Sequence, residues 1–222
     1  MAVNGNSLQS VSLSMMILSE KQSFASLKNT IDPNPHKLMA INLTKGQRID
    51  VGLRKAAIGL GWNPNTQASS QGYDLDASAL LLGENGKLVS DDHLVYFNNL
   101  ESPDKSVKSA GDNRTGEGEG DDETILVNLD AVESRVAQII FAVTIHEADV
   151  RKQNFGQVQN AFIRIYDADN KQEICKYELD EDFSTEAVVE FGRLYKRNGE
   201  WKFEAIGRGR QGGLEELFNS YS

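Results

Sequence analysis

Residues 111–123 read GDNRTGEGEGDDE and put six carboxylates, Asp112, Glu117, Glu119, Asp121, Asp122 and Glu123, among four glycines and a single Arg114. Hard oxygen donors without histidine or cysteine suit Ca²⁺, which takes six to eight carboxylate, amide and carbonyl ligands in flexible geometry, whereas Mg²⁺ asks for a strict octahedron. Glycine alternating with acid lets the backbone fold so that oxygens converge. Further donors lie upstream, Asp74 and Asp76 in GYDLDAS and Asn98 and Asn99 in YFNNL. At an effective dielectric near 20, two close carboxylates repel by about 4 kcal/mol, and a bound dication reverses that sign. Asp74, Asp76, Asp112, Asp121, Asp122 and Glu123 exceed what one calcium ion normally needs, so two ions are expected. The bland alternative for an acidic, glycine-rich run is a solvated loop. Its position between strands, inside the folded region, argues for more.

Known calcium loops do not fit. Asp112 and Glu123 span twelve residues like an EF-hand, but positions 3 and 5 would be Arg114 and Gly116, and Glu117 stands where glycine is required. GEGD occurs once, too few for a β-roll. Other chemistry is thinner still. GRGRQG at residues 207–212 has the spacing of a dinucleotide fingerprint, yet the chain ends ten residues later, without the crossover and acid the fingerprint needs. His146-Glu147 begins a zincin pattern, but Val150 occupies the second histidine position. His93 in DDHLVYF reads as a polar residue at a strand edge. No serine or cysteine stands in a nucleophile elbow.

The elements that must hold these donors are strands. Leu75, Ala77, Ala79 and Leu81 alternate with Asp76 and Ser78, and Ile125, Val127 and Leu129 alternate in TILVNL. VAQIIFAVTI suits a central strand buried on both faces, and AFIRIYDADN, KQEICKYEL, TEAVVEFGRLYKR and WKFEAIG continue the series. Asn198-Gly199 marks a hairpin. GGLEELFNSY places Leu214, Leu217, Phe218 and Tyr221 on one helical stripe that should cap the sheet. About eight strands without crossover helices predict an all-β fold, an antiparallel two-sheet β-sandwich with a short C-terminal helix. Residues 1–38 are weakly periodic and broken by Asp32-Pro33-Asn34-Pro35, and read as a flexible N-terminal extension before a domain at 39–222.

Composition sets the surroundings. The net charge of −10, half of it from residues 111–123, repels phosphate backbones and excludes nucleic acid as a partner. A lone Cys175 precludes an internal disulfide and fits a cytoplasmic location. Residues 11–18, VSLSMMIL, lack a basic flank and are too short to span a bilayer, so no integral membrane segment is expected.

NLTKGQRID, the GLGW from Gly59, GYDLDASALLL, FNNLESPD, GDNRTGEGEGDDE, TIHEA, QNFGQVQNAFIRI, YELDEDFSTEAVVEFGRLYKRNGEWKF and the closing GGL, in this order, resemble the tellurium-resistance (TerD) family. The resemblance implies a calcium-binding β-sandwich in a bacterial stress system linked to tellurite, phage and colicin resistance, without established catalysis, whose partners are other stress-system proteins. It maps the site onto Asp74, Asp76, Asn98, Asn99, Asp112, Asn113, Asp121, Asp122 and Glu123. The chain departs from the family pattern in its first 38 residues, in a shorter stretch near Asp50 and Gly52, and in Asp104-Lys105-Ser106-Val107, so Asp104 is left outside the site. Two other function classes compete with the calcium-binding adaptor or sensor. One is a metal-dependent hydrolase using the same acids with His146 or Glu147 as acid-base; the other is peripheral membrane association through a calcium shared with a lipid phosphate, which lacks flanking apolar residues. Removal of residues 1–38 is expected to leave the melting temperature and calcium affinity of the remainder unchanged, as scanning fluorimetry and calorimetric titration would show; a drop in either means that the arm packs on the domain.

Overall fold

The computed structural model describes residues 40–63, 72–110, 120–178 and 183–222. The extension at 1–38, Asp112 and Asn113 lie outside them. The strands are β1 (Ile41–Asn42), β2 (Arg48–Asp50), β3 (Lys55–Gly61), β4 (Leu75–Leu82), β5 (Leu94–Val95), β6 (Val107–Ser109), β7 (Glu123–Asn128), β8 (Gln138–Ile145), β9 (Phe162–Asp167), β10 (Glu173–Glu178), β11 (Val188–Arg197) and β12 (Glu200–Arg210). Among the described residues two short α-helices accompany them, α1 (Ala148–Arg151) and α2 (Leu214–Tyr221).

Among the described residues the strands form two six-stranded sheets, sheet A in the order β1-β10-β9-β3-β7-β6 and sheet B in the order β2-β12-β11-β8-β4-β5. Every pair is antiparallel except β1 on β10, a two-residue exception to the expected pattern. Alternation decides the inner faces. Ile58 and Leu60 of β3, Ile125 and Val127 of β7 and Ile163 and Ile165 of β9 meet Leu75, Ala79 and Leu81 of β4, Phe141 and Val143 of β8 and Phe191 of β11 in one core. As expected, β8 is buried on both faces. Its outward Ile140 and Ala142, with Leu80, Leu82, Leu94 and Val188, form a second apolar layer closed by Leu217, Leu214, Phe218 and Tyr221 of α2. The helix therefore caps sheet B, and its first turn is held by Glu216, whose carboxylate accepts the Gly213 N–H at 2.7 Å.

Local sequence signals explain the turns. Asn198 and Gly199 both have positive φ, 55° and 82°, as a type I′ hairpin between β11 and β12 requires. Asp167 accepts N–H groups of Asp169 and Asn170 in the turn after β9. GRGR, which carried the chance dinucleotide spacing, belongs to β12 and continues the strand beyond WKFEAIG. Cys175 is buried on the inner face of β10, and burial pushes its thiol up to about 12, which disfavours the thiolate.

Two buried or partly buried polar residues hold local structure, and the first departs from expectation. His93 is not at a solvent-facing strand edge; it is buried in a 3-10 turn, with Nδ1 2.7 Å from Ser90 Oγ and Nε2 2.6 Å from Glu133 Oε1. Burial of the imidazole is tolerable because both ring nitrogens are engaged. Asp104 staples the loop before β6: Oδ1 accepts the hydroxyls of Ser102 and Ser106 and the Ser106 N–H, and Oδ2 accepts the Glu133 N–H at 2.9 Å. Burial alone would raise its pKa, but these donors outweigh it and hold the carboxyl below the usual range.

A depressed acid pKa stabilises the fold above the unfolded-state value and loses that contribution as pH falls through the folded one. Asp104→Ala is therefore expected to cost about 1 kcal/mol at pH 7, a shift of about 2–4 °C in a domain of this size. The gap to wild type should close below about pH 4. Thermal melts across pH check this; a gap that persists in acid would assign the loss to packing.

Candidate functional site

Antiparallel pairing brings the end of β3, the start of β4, the start of β7 and the end of β8 to one end of the sandwich. Leu60 lies opposite Glu123, and Leu75 opposite Ile145. β5 runs towards the same end, because Leu94 pairs with Leu80 and Val95 with Ala79, which directs Phe97 and Asn98 towards Asp76. Ala110 and Gly120, which flank residues 111–119, are here too, Ala110 donating its N–H to the Thr124 carbonyl. Strand topology thus collects Asp74, Asp76, Asn98, Asn99, Asp121, Asp122 and Glu123 at one end.

They do not share one face. Glu123, the first residue of β7, has the parity of Ile125 and Val127, so its buried side chain points between the sheets and accepts the N–H of Ala77 in β4. It pins sheet A to sheet B. Asp122 accepts the N–H of Trp62 at 2.9 Å. Burial pushes its carboxyl above the usual range, and the neighbouring Asp121 charge adds to this, against the pull of the Trp62 N–H. Asp121 turns onto the outer face of sheet A, where Arg164 Nε donates to its Oδ1 at 2.6 Å and Arg164 also bridges Glu173 at 3.2 Å. The side chain is only 7% exposed because it lies over Gly59, on whose backbone a Cβ would stand 2.2 Å from the carboxylate carbon. The glycine of GLGW is thus a seat for Asp121.

On the opposite side, Asp76 occupies the outer face of sheet B. It lines a cleft of ≈ 260 Å³ with Phe97, His146, Glu147 and the start of α2. His146 Nδ1 is 3.8 Å from Asp76 Oδ2, its Nε2 is 3.9 Å from Glu147 Oε1, and its ring stands edge-on to Phe97 at 6.2 Å. Glu147 has φ 53° as the chain leaves β8 for α1. Asp74 precedes β4 rather than lying on it, and its carbonyl accepts the His146 N–H at 2.8 Å. Asn99 closes the turn after β5, its amide donating to the carbonyls of Asp92 and Leu94, while Asn98 is exposed.

Among the described residues no three His, Cys, Asp or Glu side chains form a group that would hold a metal ion. The donor chemistry at the start of β7 still suits a hard dication: adjacent carboxylates, one partly desolvated, repel each other. Of the expected ligands, Asp112 and Asn113 belong to 111–119, outside the described residues. Arg164 was not foreseen as Asp121's partner. A charged residue in the middle of FIRIYD, opposite Gly59 in the register, is the signal that would have found it.

Residues 39–221 match the TerD domain family. The tellurium resistance protein TerD of Serratia marcescens is 48% identical over 188 residues, covering 82% of this chain and 97% of that protein. General stress protein 16U of Bacillus subtilis is 47% identical over 188 residues, with the same shares. The crystal structure of a homologue of the telluride resistance protein TerD from Streptomyces coelicolor superposes with a TM-score of 0.64 at 22% identity, covering 75% of this chain and 96% of that one, which supports the two-sheet fold. Gly59→Ala is expected to cost about 1–3 kcal/mol by forcing the Asp121 carboxylate off its seat. Most of that loss should vanish in an Asp121→Ala background; an additive pair of losses in denaturant titrations would refute the contact.

Proposed function

The chain belongs to the TerD family of tellurium-resistance and general stress proteins, and from that premise we propose that it acts as a calcium-binding, non-catalytic adaptor or sensor. The carrying observation is the carboxylate run Asp121-Asp122-Glu123. Two of its members are buried against specific donors, and the third is held above the usual carboxyl range, at the end where 111–119 leaves and rejoins the sandwich. Asp121 and Asp122, with Asp112 and Asn113, would hold calcium, and the donors around Asp74, Asp76, Asn98 and Asn99 are the candidates for a second ion. Bound calcium would convert the repulsion between adjacent acids into attraction. Arg164 and Gly59 then serve to orient Asp121, and Glu123 to fix the strand from which the ligands project.

An ion that binds the folded state alone stabilises it by about 2.7 kcal/mol at a hundredfold excess over Kd. Ordering of the acidic segment would offer a surface to other proteins of the stress system, in the cytoplasm. No helix among the described residues is long and apolar enough to cross a membrane.

A specific arrangement favours a second reading, a metal-dependent hydrolase: His146 stands beside Asp76 in a cleft, as a general base near a metal would. The two are separable. Calorimetry should show two calcium ions per chain, and Asp121→Asn with Asp122→Asn should lose at least one of them while circular dichroism stays unchanged. His146→Gln should leave affinity within about tenfold. Coincident melts in calcium and in chelator would sink the calcium reading. Steady hydrolysis of phosphate or acyl esters that disappears in both variants would replace the adaptor with the enzyme.

A further inference from the structure

The outer face of sheet B beyond α2 carries a feature that the calcium site does not use. Register shifts between Glu190 and Gly192 break both ladders of β11, and on the β12 side the two residues Ile206 and Gly207 stand opposite the single Phe191. Gly207 has φ 56°, and a Cβ there would meet the Tyr177 hydroxyl at 2.2 Å. Such a bulge re-aims side chains and opens a gap in the ladder. On one side of it Arg48, Glu204 and Arg193 form a row across three strands, with both arginines on the Glu204 carboxylate at 2.9 and 2.7 Å. On the other, Glu190 lies opposite Arg208. Between the rows is a cavity of ≈ 420 Å³, with Ala205 and Ile206 at the bulge and Lys45, Arg193, Arg208 and Glu190 among its walls. Lys45 is carried there by the turn of LTKGQ, which is tied to β12 by the Gly46 N–H on the Ala205 carbonyl and the Ala205 N–H on the Gln47 carbonyl.

The charges do not balance. Four guanidinium groups, Arg48, Arg193, Arg208 and Arg210, share two carboxylates in a protein whose net charge is −10. Glu190 is 0% exposed, and its two oxygens differ. Oε1 accepts from Arg210 Nε and from the Tyr221 hydroxyl at 3.1 Å, whereas Oε2 accepts no hydrogen bond among the described residues. Arg208 Nη1 stands 3.6 Å from Oε2, and that side chain is 59% exposed, able to turn without disturbing the core. A fully buried acceptor without a donor costs free energy that a ligand or ordered water would recover.

We propose that this cavity binds a protonated phosphate group, as inorganic phosphate or a small phosphate monoester, with Arg208 and Lys45 on the anionic oxygens and Glu190 Oε2 accepting the phosphate O–H. Guanidinium geometry matches the tetrahedral oxyanion. The carboxylate supplies selectivity: sulfate has the same tetrahedral shape but no proton near neutral pH, so it would set lone pair against lone pair at Glu190. GRGRQG thereby acquires a use unrelated to dinucleotides, since its two arginines place one guanidinium on each oxygen of Glu190.

The test is isothermal calorimetry on the full chain at about pH 6, where a phosphate monoester keeps its second proton about half the time. Chelator excludes any contribution from calcium. Inorganic phosphate and glycerol 3-phosphate are expected to bind once per chain, and sulfate at least tenfold more weakly. Tighter binding of the monoester would identify the organic phosphate as the ligand; equal or weaker binding would identify inorganic phosphate. Arg208→Ala, at an exposed position that leaves the fold intact, should weaken phosphate binding about 10–100-fold. Glu190→Gln should erase the preference over sulfate, because an amide can donate to either anion. Phosphate and sulfate binding equally to wild type, Arg208→Ala binding as well as wild type, or no binding at millimolar phosphate would each overturn the proposal.

Discussion

Each of the two sheets has one face too apolar to be left in water, and the packing of those faces against each other governs where everything polar can go. Leu81, Phe141, Phe191 and Phe203 are fully or almost fully buried on the sheet B side, and Leu60, Ile125 and Ile165 on the sheet A side. Strand alternation leaves no inward position for a charge along that interior. The exception is Glu123, at the very end of β7, where a carboxylate reaches between the sheets because the Ala77 N–H is there to receive it. An acid facing the interior at mid-strand would have no such donor.

The same constraint explains why the candidate site is at an end and the phosphate cavity is on an outer face. Strand ends are where antiparallel pairing brings distant sequence together without a core to exclude charge; loops at one end of a rigid sandwich are the usual seat of function. The acids approach that end from both sides of the sandwich, Asp121 from the outside of sheet A and Asp76 from the outside of sheet B, with Glu123 between them. Two of the acids are positioned by something uncharged or oppositely charged: Gly59 and Arg164 for Asp121, and the Trp62 amide for Asp122. Carboxylates so anchored can be brought near one another without the backbone yielding to their repulsion.

Sheet B shows how one face can be divided. Half is apolar and covered by α2; the other half is charged and interrupted by the β11–β12 bulge. Tyr221 joins the halves, its ring packed in the apolar layer and its hydroxyl on Glu190. Amphipathic side chains are suited to such borders, since one end can be dry and the other hydrogen-bonded.

The all-β class, the strands around LDASALLL and VAQIIFAVTI, the Asn198-Gly199 turn and the α2 stripe were legible in the sequence, because side-chain alternation and turn chemistry act over a few residues. The family was legible for a related reason: motifs such as GYDLDAS and GDNRTGEGEGDDE, from which the candidate ligands were taken, are local strings. The parity of a strand, however, says only that two sets of residues face opposite ways, not which set meets the core or what covers the other. The tertiary structure alone decided that Asp76 and Asp121 approach from opposite outer faces, that Arg164 and Gly59 seat Asp121, that His93 is buried, and that the arginines of GRGRQG surround Glu190. Each of these contacts joins residues far apart in the chain, and pairing register, which depends on the whole core packing at once, determines which of them meet.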